Sequence, residues 1–82
     1  MADLTAQQWD ELKSVLEVEF IAVGAINHRH TAYGLKQKFS REHFYVTQEQ
    51  FTEAMRQVGF RAESTRDGNV CFNIGERSRY FK

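Results

Sequence analysis

The side chains that could carry chemistry fall into three groups. The first is a possible metal set, His28, His30 and His43 with Cys71. Its spacing is H-x-H, a twelve-residue gap and then a lone cysteine on a predicted strand, which matches no familiar zinc pattern. Surface imidazoles and a small packed thiol account for these residues better. The second group is catalytic. Cys71 falls on an alternating strand, whereas a reactive thiolate needs an accessible, electropositive setting. The carboxylates are scattered without a glycine-framed loop, and the five glycines are isolated, so no phosphate-cradling loop is present. No catalytic residue, metal or cofactor is therefore assigned, and the chain is read as a non-enzyme.

The third group is basic. Lys36, Lys38, Arg41, Arg56, Arg61, Arg66, Arg77, Arg79 and Lys82 could neutralise phosphates if enough of them shared one surface. Gln48, Thr52 and Arg56 on a helix could face base edges, with Lys36, Lys38, Arg61, Arg66, Arg77 and Arg79 on the backbone. Tyr45, Tyr80 and Phe81 could stack bases, although burial of Tyr45 and docking of the tail onto the domain are the commoner outcomes.

Positioning these groups requires defined elements. Thr5 and Gln8 form a capping box with Leu4 and Trp9 as a hydrophobic staple, opening a helix from about Ala6 to Glu19. Trp9, Leu12, Leu16 and Phe20 recur at helical spacing along it. Phe20 to Ile26 is apolar without a clear period and reads as a helix extension or a short buried strand broken near Gly24. Thr31 caps a second helix that stops near Ser40 or Arg41, with Ala32, Leu35 and Phe39 inward and Lys36 and Lys38 outward. Thr47 and Gln50 repeat the capping box, and Phe51, Ala54, Met55 and Val58 mark the buried stripe of a third helix ended by Gly59. The opposite face would show Glu49, Thr52, Glu53 and Arg56, with Glu53 and Arg56 able to pair at i,i+3. Phe60–Ser64 and Asn69–Ile74 then flank Asp67-Gly68 as a β-hairpin.

Helix, helix, capped helix and hairpin is the order of a winged helix-turn-helix, so the expected fold is a single α+β domain of three helices followed by a β-hairpin, over residues 1–82. In such a domain the third helix would enter the major groove and the hairpin would act as a wing.

Size and composition agree with one small globular domain: 82 residues, 41% hydrophobic and 27% charged, with seven Phe, three Tyr and one Trp for the core. No apolar run approaches bilayer length and the N-terminus lacks the basic-then-apolar order of a signal peptide, so no membrane association and a cytoplasmic location are expected. The net charge of zero hides an asymmetry. Residues 1–20 hold one basic and five acidic side chains, a balance of −4, and the remainder balances at +4. Glu49 and Glu53 on the presumed recognition helix also oppose phosphate.

The segment YGLKQKF…FYVTQEQFTEAM…GF…FNI, from Tyr33 to Ile74, resembles small proteins of bacteriophages and prophages. The resemblance implies a shared fold and a mobile-element origin, and it transfers no activity or binding residue. Two functions follow as expectations. One is a phage regulator that binds double-stranded DNA. The other is a phage-encoded module that binds and modulates a host protein through the acidic first helix or the Glu49/Glu53 face. A homodimer is compatible with either.

Overall fold

The structure, a computed structural model, describes residues 4–81, so Asp3 and Lys82 lie outside the described residues. Helix α1 (Ala6–Glu19) begins where the Thr5 hydroxyl accepts from the Gln8 N–H at 3.1 Å and the Gln8 side chain accepts from the Thr5 N–H at 2.9 Å. This reciprocal pair satisfies two backbone donors that a helix start otherwise leaves open. Leu12 and Leu16 then fall one turn apart and are fully buried. Strand β1 (Ala22–Asn27) follows, then α2 (Ala32–Glu42), capped by the Thr31 hydroxyl. Helix α3 (Gln48–Gln57) opens on the second capping box, Thr47 with Gln50. It closes at Gly59, whose φ of +103° favours glycine; the Phe60 N–H returns to the Met55 carbonyl and the Gly59 N–H to that of Arg56.

Strands β2 (Ala62–Ser64) and β3 (Val70–Ile74) complete a three-stranded antiparallel sheet in the order β1-β3-β2, and a final 3-10 turn spans Arg79–Phe81. The chain is thus a small α+β domain with three helices and a three-stranded sheet. The expected run of three helices and a hairpin is broken by β1: of the two readings of the stretch after Phe20 the strand holds, paired with β3, but it continues through Gly24 and is mostly exposed rather than buried. No helix among the described residues is long and apolar enough to cross a membrane.

The core joins Leu12 and Leu16 of α1, Leu35 and Phe39 of α2, Phe51 and Met55 of α3, and Phe72 and Ile74 of β3. The tail closes one end of it: the Tyr80 ring stacks on Phe20 at 4.4 Å, and its hydroxyl donates to the Leu35 carbonyl. Burial pushes the Tyr80 phenol well above its ordinary range. The expected docking of the tail holds, but Tyr45 is 66% exposed rather than buried.

Because β3 is the middle strand, residues on both of its faces are buried, Cys71 and Asn73 as well as Phe72 and Ile74. Asn73 ties the two sheet edges together. Its carboxamide oxygen accepts from the Arg61 N–H at 2.7 Å, and its nitrogen donates to the Val23 carbonyl at 2.9 Å. The second contact is needed because β1 is bulged. Ala22 and Asn27 pair with Ile74 and Phe72, so a five-residue step on β1 faces a two-residue step on β3. Asn73→Ala should destabilise the domain by about 2 kcal/mol or more, since it leaves two backbone groups without partners. Urea denaturation followed by circular dichroism measures this, and a loss under about 0.5 kcal/mol would contradict the assignment.

Candidate functional site

The capping box sets the phase of α3. With Phe51, Ala54 and Met55 directed into the core, Gln48, Glu49, Thr52, Glu53 and Arg56 fall on the side that faces the β2–β3 hairpin. Together with Gly68 and Val70 they line an open groove of about 820 Å³. The groove carries two carboxylates and one guanidinium. Thr52, expected on the solvent face, is only 7% exposed because it borders the buried stripe, and its hydroxyl has no hydrogen-bond partner. Glu53 does not pair with Arg56; its carboxylate accepts from Gln57 at 3.2 Å.

The expected phosphate contacts do not gather on this groove. Lys36, expected outward, is 8% exposed, with its ammonium 5.2 Å from the Tyr33 ring centre and 5.0 Å from that of Tyr45. The Tyr33 ring stands one turn back on α2, and the Tyr45 ring arrives from the α2–α3 connection, a contact between segments that helical periodicity does not register. Lys38, also expected outward, is half-buried and donates to the Tyr80 carbonyl. Arg61 donates through its guanidinium to the Gly24 carbonyl of β1. Arg56 and Arg66 are exposed, the first in the groove and the second in the hairpin loop. Arg77 and Arg79 are exposed beyond the opposite end of β3 from Arg66, a strand length of roughly 17 Å away. Gln48 is half-buried at the start of α3.

A second concavity, of about 480 Å³, lies between α2 and the tail. Its polar lining includes Arg29, His30, Lys38 and Arg41 and, among the described residues, no carboxylate. Arg29 and His30 belong to a connector that carried no sequence motif. The 31-34-38-41 spacing along one face of α2 is the only local sign of this pocket, and its other wall comes from residues some forty positions downstream.

Behind that pocket Glu76 gathers several donors. Asn27 donates to its carboxylate at 2.6 Å, Arg29 lies 3.7 Å away, and His30 Nε2 lies 3.0 Å away but out of line for a hydrogen bond. His28 meets Glu63 at 3.2 Å and His43 stacks on Phe39. Among the described residues no three His, Cys, Asp or Glu side chains converge as a metal site. Burial, with Glu63 and Asp67 nearby, pushes the Cys71 thiol up, away from thiolate chemistry.

No family model, curated protein or solved structure matches this chain.

The Asn27 hydrogen bond, followed by the charges of His30 and Arg29, holds the Glu76 carboxyl below the usual glutamate range. A depressed carboxyl stabilises the fold above the ordinary glutamate range, and that contribution disappears as pH falls through its folded-state value. In Glu76→Gln, thermal stability should therefore fall less steeply between neutral and acidic pH than in the wild type. Melting curves across that interval measure the difference, and identical acid limbs would contradict it.

Proposed function

We propose that the chain is a winged-helix-like protein-recognition module whose α3–hairpin groove accepts a segment of a partner protein bearing basic side chains. The observation that carries this reading is the groove's lining: Glu49 and Glu53 face it against Arg56 alone, while Lys36, Lys38 and Arg61 are engaged within the fold. A surface built to follow phosphates would concentrate cations where these carboxylates lie. The winged-helix reading is supported by the element order helix, strand, helix, helix, strand, strand, with β3 between β1 and β2. In that arrangement α3 is the recognition helix and the β2–β3 hairpin is the wing. A scaffold of this kind does not dictate its ligand, which is set by the groove. A mobile-element origin, which the resemblance of Tyr33–Ile74 to phage proteins implies, fits a host-cell protein as the partner.

Duplex DNA is the second reading. It is favoured by Arg56 and Arg66, exposed on α3 and on the hairpin loop, where a major-groove helix and a wing would need cations. One assay separates the two. Fluorescence anisotropy at low salt, with a labelled arginine-rich peptide and a blunt duplex of random sequence, should show saturable binding of the peptide only. Glu49→Gln with Glu53→Gln should weaken it by about fivefold, the worth of two exposed ion pairs. Duplex binding that Arg56→Ala with Arg66→Ala abolishes, without peptide binding, would replace the protein reading with the DNA one.

A further inference from the structure

The pocket between α2 and the tail has a chemistry opposite to that of the α3 groove. One wall is a single face of α2, on which Thr31, Gly34, Lys38 and Arg41 recur at helical spacing. The other wall is Tyr80 with Phe81, and the His30 imidazole stacks on the Phe81 ring at 4.0 Å. Arg29 stands at the rim. Three permanent cations and an imidazole thus converge on about 480 Å³ in a chain whose net charge is zero. Glu76 offsets both His30 and Arg29 from outside the lining, and Lys38 is braced by the Tyr80 carbonyl and ring. Arg41 is exposed and forms no ion pair among the described residues.

The backbone of the pocket points the same way. At the first turn of α2, the positive end of its dipole, the Gly34 N–H is taken by the Thr31 hydroxyl, and the Ala32 and Tyr33 N–H groups have no partner within the helix. Gly34 sits in that turn although a Cβ there would meet nothing nearer than the Thr31 hydroxyl at 3.9 Å. Alanine would fit the space and favour the helix. Glycine keeps the wall low between Thr31 and Lys38.

We propose that this pocket binds the phosphate group of a small organic phosphate, with Arg41 as the primary anion contact, Lys38 and Arg29 flanking it, and the organic part against Tyr80 and Phe81. The volume is in the range of small-ligand sites. A planar guanidinium beside a fixed ammonium suits a phosphate, which accepts several charge-assisted hydrogen bonds at once. This inference rests on the α2–tail pocket and is independent of the α3 groove.

The test is titration of the full chain with three probes at low salt: inorganic pyrophosphate, adenosine monophosphate and a single-stranded thymidine oligonucleotide. It is followed by calorimetry and by amide chemical shifts. Adenosine monophosphate and pyrophosphate should compete for one site, moving the Thr31, Gly34 and His30 signals and leaving those of Glu49 and Glu53 in place. Arg41→Ala, at an exposed position where the fold should persist by circular dichroism, should weaken both about tenfold, and Arg41→Lys should recover part of the loss. Absence of saturable binding, unchanged affinity in Arg41→Ala, or binding of the oligonucleotide without either small phosphate would each overturn the proposal.

Discussion

The hydrogen bonds of one buried carboxamide hold this sheet together. Asn73 lies in the central strand and reaches the Val23 carbonyl on one side and the Arg61 N–H on the other. Without it, Val23 on β1 and Arg61 at the entry to β2 would each lose this partner for a backbone group, a cost of the order of a kcal/mol for each. Everything used for recognition hangs from that sheet. The hairpin that forms one wall of the α3 groove is β2–β3, and Ile74 leads directly into the segment that carries Glu76 and the tail.

The two concavities divide the charge of a neutral chain. Toward the hairpin, α3 offers carboxylates; toward the tail, α2 offers cations. The separation follows from helix phase. In α3 the buried stripe leaves Glu49 and Glu53 on the hairpin side, and in α2 the stripe of Ala32, Leu35 and Phe39 leaves Lys38 and Arg41 on the tail side. Net charge, read from composition, conceals both surfaces because it sums over them. Local potential is what a ligand meets.

What the sequence disclosed and withheld divides by range. The capping boxes at Thr5 and Thr47, the cap at Thr31 and the stop at Gly59 depend on residues within a few positions of one another, and all were readable. Strand β1 was legible only as one of two alternatives, because FIAVGAI has no period and becomes a strand through its pairing with β3, some fifty residues away. The burial of Lys36 escaped for the same reason, since Tyr33 shares its helix but Tyr45 arrives from the next connection. Thr52 sits at the edge of a helical stripe, where periodicity does not decide between core and solvent. The basic pocket was hidden most completely: Tyr80 and Phe81 looked like part of a tail, and only their return onto α2 turns Arg41 and Lys38 into one wall of a cavity.

The bulge in β1 bears on how this edge of the sheet would meet another strand. An outer strand with exposed Val23, preceded by exposed Ile21, would offer a neighbour both greasy side chains and a ready ladder of amides and carbonyls. Here the out-of-register stretch breaks the even two-residue rhythm that a docking strand requires, and the carbonyls of Val23 and Gly24 are already occupied by Asn73 and Arg61. The irregularity of β1 makes this apolar edge a poor template for strand addition.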